Sequence, residues 1–196
     1  EPVLMADIGG GSVEFIIGNG KEFFYLTSRK IGVSRMADIF KPSDPITPED
    51  IAILENHYRG ELESLSEAFA QHRTDTIIGS SGTMQNIALM IAARKGLSVE
   101  VTLNELEFSA QDFFDFYEEF ITLNRKERAR VKGLDVKRLD FINTGVVLVN
   151  LLLRQFSIKK VRISTQALRE GIIIRYLKKD MIGLSWAGEF ADPRRR

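Results

Sequence analysis

Cysteine is absent from the 196 residues, which excludes disulfides and thiolate metal sites. Histidine is scarce, with only His57 and His72. The periodicity puts one on a helix and the other just beyond its end, where solvated rings are expected and not a metal pair. Net charge is missing as well, with 27 Lys and Arg against 27 Asp and Glu. A zero balance argues against non-specific binding to nucleic acid or a membrane surface, although a local basic site can hide inside it. Long apolar runs are lacking too. The longest, GVVLVNLLL from Gly145 to Leu153, falls far short of the ~20 residues of a membrane span. No signal peptide, internal repeat or low-complexity segment is evident. The opening Glu1-Pro2 runs straight into an apolar strand pattern, which reads as an interior start, and the cytoplasm is the expected compartment.

What is present is ordinary core material, 44% hydrophobic and 28% charged residues, enough for one large domain or one lobe of a larger protein. PVLMADI, SVEFIIG and KEFFYLTSRKI read as three strands in series, with Asn19-Gly20 as a hairpin turn. GVSRMADIF predicts a short helix. Thr47-Pro48-Glu49-Asp50 reads as the start of another, with a capping hydroxyl, a proline at the first position and acids at the positive end. Its apolar stripe runs Ile51, Leu54, Tyr58, Leu62, Leu65, Phe69. DTIIGSSGT reads as a strand entering a small-residue turn, and TMQNIALMIAARKG as the helix that follows. Ser109 is expected to cap a helix whose rings Phe113, Phe116, Tyr117 and Phe120 form a core stripe; no interleaved cations suggest base stacking. NRKERARVKGL reads as a basic helix, VKRLDFINTGVVLVNLLLRQF as one long buried helix, KKVRISTQ as a strand, and ALREGIIIRYLKK as a last helix before a loose tail. The fold class is α/β, a mixed sheet flanked by helices. The element order is that of the ribonuclease-H-like or actin-like ATPase fold.

ADIGGGSVEF, residues 6–15, carries the chemistry. Gly9, Gly10 and Gly11 let backbone N–H groups close on a ligand with no Cβ in the way, and such N–H groups form an anion nest. Ser12 adds a hydroxyl. Asp7 and Glu14 bring two hard oxygen ligands to the same place, where a carboxylate would repel phosphate unless a divalent cation lay between them. Mg²⁺ takes one or two carboxylates together with waters and phosphate oxygens. IIGSSGTMQ, residues 77–85, repeats the logic, because a helix N-terminus after a glycine-and-serine turn also holds anions. Neither turn is a dinucleotide or P-loop fingerprint. A tight hairpin that merely needs glycine remains the structural alternative for the first.

DIGGGSVEFIIGNG, SRKIGVSR, GSSGT, GLDVKRLDFINTG and LREGII occur in the order and spacing of the exopolyphosphatase / guanosine pentaphosphate phosphohydrolase (Ppx/GppA) family. The chain resembles that family from about Val3 to Tyr176. The phosphate loop alone is shared with acetate kinase, sugar kinases, Hsp70 and actin; the combination with Leu-Arg-Glu-Gly is what is specific.

The resemblance implies the second lobe of a two-lobed actin-like core over residues 1–180, followed by a loose tail at 181–196. The first lobe, with its own phosphate loop and the glutamate that activates water, is not found in the sequence, so no general base is expected here. Asp7 and Glu14 match the metal-associated acids, with Mg²⁺ as the implied cofactor. Gly9, Gly10, Gly11 and Ser12 match the phosphate loop. Ser81, Gly82 and Thr83 match the second turn, and Arg138 a basic residue implicated in binding the anionic chain. Arg169 and Glu170 match the Leu-Arg-Glu-Gly signature, for which a structural and a substrate role stay open. Where the family often has Ser-Asp-Gly, this sequence has Ser164-Thr165-Gln166. Family members release terminal phosphate from polyphosphate or pppGpp. The implied partners are therefore polyphosphate or guanosine tetra- or pentaphosphate, with a homodimer expected and neither membrane nor nucleic acid. An actin-like kinase or ATPase, and a non-catalytic module that binds polyphosphate or ppGpp or serves dimerisation, remain the rival readings.

Overall fold

The computed structural model describes residues 1–19, 21–97 and 106–165. The elements are β1 (Val3–Ile8), β2 (Val13–Gly18), β3 (Phe23–Arg29), α1 (Val33–Phe40), α2 (Pro48–Glu61), α3 (Glu63–Gln71), β4 (Thr76–Ser80), α4 (Ser81–Arg94), β5 (Glu107–Ser109), α5 (Ala110–Phe120), α6 (Arg125–Arg128), α7 (Ile142–Gln155) and β6 (Lys160–Ile163). The six strands form one mixed sheet in the order β3-β2-β1-β4-β6-β5. β1, β2 and β3 are an antiparallel meander, whereas β4 runs parallel to β1 and β6 parallel to β4. The expected α/β class, a mixed sheet flanked by helices, is what the chain forms.

Local signals set most of these elements. Thr47 and Asp50 make a reciprocal capping box at the start of α2, with Pro48 at its first position, and Ser109 and Asp112 make another for α5. Each such cap is worth about 1 kcal/mol. The α5 rings Phe113, Phe116, Tyr117 and Phe120 are buried in the core as expected. α7 is buried from Ile142 to Leu153 and packs against α1, α2, α4 and α5. Among the described residues no helix is long and apolar enough to cross a membrane.

Three expectations need correction, and one strand has no counterpart among them. The stripe from Ile51 to Phe69 belongs to two helices: at Leu62 the N–H reaches both Tyr58 O and Arg59 O, a tightened turn that separates α2 from α3. NRKERARVKGL keeps only the four-residue α6, because its cap Asn124 is followed by turns that end at Gly133, where φ is +90°. The long helix expected from Val136 begins at Ile142; before it lies a single 3₁₀ turn, Val136–Arg138, capped by Asp135. β5, three residues pairing antiparallel with β6, carries too short a pattern to be read from sequence. The expected last helix, the Leu-Arg-Glu-Gly signature and the tail lie outside the described residues.

Candidate functional site

The β1–β2 connection is held by its carbonyls. Gly9 N–H donates to Ser12 O across the turn at 3.0 Å. Gly9 O accepts from Val33 N–H at 3.0 Å, Gly10 O from Arg35 N–H at 3.0 Å, and Gly11 O from Gly32 N–H at 3.4 Å. The Arg35 side chain adds Nε–H to Gly11 O at 2.9 Å. In a trans peptide the C=O of one residue and the N–H of the next point in opposite directions. With three successive carbonyls turned towards the start of α1, the N–H groups of Gly10, Gly11 and Ser12 are turned away from it. Among the described residues none of these three N–H groups meets an acceptor. That is a nest suited to an anion.

Glycine here serves close approach and not a left-handed backbone. Positive φ at a described glycine occurs only at Gly96 and Gly133. A Cβ on Gly9 would stand 3.0 Å from Ser12 O and one on Gly10 3.1 Å from Ser34 Oγ, whereas one on Gly11 would meet nothing within 4 Å. Gly32 is the tightest of the group: its Cβ would lie 2.4 Å from Gly11 C and Ser12 N and 2.5 Å from Gly10 C.

Strand register then lines up a polar row. Asp7 of β1 faces Glu14 of β2, Glu14 faces Ser28 of β3, and Asp7 faces Ser80 of β4. Glu14 Oε1 accepts from Ser12 Oγ and from Ser28 Oγ, each at 2.7 Å. Ser81 Oγ donates to Asp7 Oδ1. Asp7 is 8% exposed. Two carboxylates opposed across an antiparallel pair repel each other. Hydroxyl donors temper that repulsion, and a hard cation would remove it. The two oxygen donors fit Mg²⁺, which needs only one or two carboxylates when waters and phosphate fill the rest. Among the described residues no group of three or more such ligands gathers anywhere.

The second turn is shorter than the sequence implies. β4 passes directly into α4 at Ser81, and the left-handed residue is Ser81, with φ +68°, not a glycine. A serine in that region carries about 1–2 kcal/mol of strain, held in place here by its bond to Asp7. Gly82 is glycine for another reason: the Arg138 guanidinium lies against it, with Nη2 1.8 Å from where a Cβ would be. Arg138 also stacks over Phe141, 6.0 Å from Cζ to the ring centre. A cation at a helix N-terminus opposes the helix dipole, so this corner is doubly positive. Thr83 Oγ1 beside it is fully buried and has no hydrogen-bond partner among the described residues. Asp140 leaves the Arg138 charge alone. It pairs with Arg125 at 2.6 Å, and that guanidinium holds its carboxyl below the usual range.

The structure thus gathers Asp7, Gly9, Gly10, Gly11, Ser12 and Glu14 at one hairpin, and Ser81, Gly82, Thr83 and Arg138 at the start of α4. The Ser81–Asp7 bond joins the two groups. Ser28, Gly32 and Arg35, all within SRKIGVSR, complete the site, and no local signal in the sequence marks them as part of it. Tyr58 ties α2 to α7, its buried hydroxyl donating to Thr144 O at 3.1 Å, and burial pushes that phenol's pKa up. The histidines lie apart, His57 against Phe40 and His72 stacked on Phe24.

Known proteins share this arrangement of elements. The crystal structure of an exopolyphosphatase from Cytophaga hutchinsonii is 30% identical with a TM-score of 0.81, covering 94% of this chain and 58% of the other. The Aquifex aeolicus member of the Ppx/GppA family has a TM-score of 0.75 at 23% identity, over 91% of this chain and 57% of the other, and shares the fold. A guanosine-5'-triphosphate,3'-diphosphate pyrophosphatase of Photobacterium profundum is 26% identical over 90% of this chain and 34% of its own length. The chain spans between 33% and 55% of the length of four curated relatives that it matches. The model of the Ppx/GppA phosphatase family matches residues 1–180, and the chain belongs to that family.

Proposed function

We propose that this chain is the phosphate- and metal-holding lobe of a phosphohydrolase that releases terminal phosphate from inorganic polyphosphate or from pppGpp. One observation carries the reading. Two like-charged juxtapositions meet at one end of the sheet: Asp7 opposite Glu14, and Arg138 on the N-terminus of α4. A phosphate with a divalent cation relieves both at once, which a structural hairpin has no reason to need.

In this reading the N–H groups of Gly10, Gly11 and Ser12 hold the terminal phosphoryl oxygens. Asp7 and Glu14 would hold Mg²⁺, which when bound neutralises charge on the phosphate. Arg138 and the start of α4 take the next phosphate along. Ser12 and Ser28 keep the Glu14 carboxylate aimed at the site. The reaction is in-line displacement at phosphorus by water, for which positioning and charge neutralisation do most of the work. The base that takes the water's proton would come from the first lobe, and lobe closure would exclude bulk water.

The test is phosphate release from long-chain polyphosphate and from pppGpp by the complete two-lobed protein, with Mg²⁺ and with EDTA. Release that needs the metal and collapses in Asp7→Ala and Glu14→Ala is the expected result. Binding of both substrates with no release from either overturns the hydrolase in favour of a sensor. Phosphoryl transfer from ATP to an added acceptor overturns it in favour of a kinase.

A further inference from the structure

α4 presents Gly82, Asn86 and Leu89–Met90 along one face, spaced by about one helical turn each. The segment that carries Arg138 descends this face in matching steps. Gly133 packs on the backbone of Leu89 and Met90, where a Cβ would be 2.6 Å from Leu89 C and 2.8 Å from Met90 N. Asp135 N–H donates to Asn86 Oδ1 at 2.7 Å. Arg138 then lies on Gly82.

Asn86 is the middle anchor, and its amide is used at both ends. Nδ2–H donates back to Gly82 O at 3.0 Å, while Oδ1 accepts from Asp135. Only one orientation of the amide works, because a flip would set two acceptors and two donors against each other. Asn86 is 8% exposed, so either bond lost would leave a buried polar group without a partner. The Asp135 bond is the one hydrogen bond among the described residues that ties α4 to residues 133–138. The base of the same loop is closed separately: Arg128 donates to Leu123 O at 2.6 Å and Leu139 O at 3.3 Å and pairs with Asp44 at 2.9 Å.

We propose that Asn86 is a positioning residue for the anion site, fixing the height of the Arg138 loop on α4 so that the guanidinium reaches the helix N-terminus. This rests on the reading of Arg138 as an anion-binding side chain. Asn86 touches no substrate itself; it acts through Arg138.

Calorimetric binding of tripolyphosphate to the protein, Asn86→Leu, Arg138→Ala and the double variant tests this. Asn86→Leu adds no charge and removes both the acceptor for Asp135 N–H and the donor to Gly82 O. Its affinity is expected to fall about tenfold, with no further fall when Arg138→Ala is already present. Asp135→Pro, read against Asp135→Ala, which loses the same carboxylate cap on Lys137 N–H but keeps its own N–H for Asn86, gives the same answer from the loop side and covers the case of Asn86→Leu failing to fold. Asp135→Pro removes the N–H at a position whose φ is −71°, which proline accepts. Parental affinity in Asn86→Leu with no difference between Asp135→Pro and Asp135→Ala, or a loss that adds in full to that of Arg138→Ala, overturns the inference alone. A parent protein that binds no tripolyphosphate overturns the proposed function, and this inference with it.

Discussion

The Arg138 guanidinium occupies the volume that a side chain at Gly82 would fill, with Cζ 2.5 Å from where the Cβ would stand. The clash is with the free end of a flexible side chain, so Gly82→Ala leaves the fold intact and moves Arg138. Alanine also suits a helix better than glycine, by about 1 kcal/mol. The expected outcome is a thermal midpoint that holds or rises, with tripolyphosphate affinity down roughly 10- to 100-fold, the worth of a hydrogen bond to a charged group. Calorimetry beside a melting curve checks both halves.

Gly32 and Gly11 are expected to part company. At Gly32 a Cβ meets the backbone of Gly10, Gly11 and Ser12, which cannot rotate aside. Gly32→Ala should therefore cost about 1–3 kcal/mol as overpacking does, read in denaturant. At Gly11 a Cβ meets nothing and φ is not left-handed, so Gly11→Ala should keep or slightly raise stability. Only a bound phosphate, or a lobe closing over it, reads the missing side chain. Loss of tripolyphosphate binding at full stability is the expected result, and unchanged binding speaks against an anion at the loop.

These glycines show what was legible in the sequence. A Gly-Gly-Gly turn between two acids announced a tight hairpin, and a tight hairpin makes Asp7 and Glu14 partners whatever the rest of the fold does. The helix starts at Thr47 and Ser109 were equally local. Ser28 was hidden because it reaches Glu14 through a second hairpin, whose register shifts between Ile17 and Gly18. Gly32 and Arg35 were hidden because their role is to meet a loop some twenty residues earlier. The left-handed residue of the second turn fell on Ser81 because the bond to Asp7, distant in sequence, offsets its strain. The start of α7 was misplaced because Val136 to Phe141 keeps a helical pattern that Arg128 and Asn86 override with tertiary bonds.

Asp50 offers a pH test away from the site. Its carboxylate accepts from the Thr47 hydroxyl at 2.8 Å and from the N–H groups of Ser43 and Thr47 at 3.0 and 3.1 Å. Led by the Thr47 bond, these hold its pKa at about 2 against an ordinary 3.8. A lowered folded-state value stabilises above the unfolded pKa and loses that contribution as pH falls through the folded one. The stability gap between the protein and Asp50→Asn should thus be constant well above pH 3.8, shrink as pH falls through 3.8 towards about 2, and close below that. Urea titrations across that range check it, and a gap that persists at the acid end rules it out.

Asp7 and Glu14 give the metal test that needs no turnover. With the metal removed, the two carboxylates face each other across β1 and β2, a destabilising pair of about 1 kcal/mol or less. Glu14→Gln keeps an acceptor oxygen for Ser12 and Ser28 and deletes the repulsion. In EDTA this variant should melt higher than the parent, by roughly 1–4 °C for a chain of this size. Added Mg²⁺ with tripolyphosphate should raise the parent's midpoint, because a ligand bound only by the folded state stabilises it, and should leave Glu14→Gln nearly unmoved. The two curves should cross: the variant is the more stable protein without ligand and the less stable with it. A variant that melts below the parent in EDTA would mean that the Ser12 and Ser28 hydroxyls already offset the repulsion, leaving the carboxylate pair with no need of a cation.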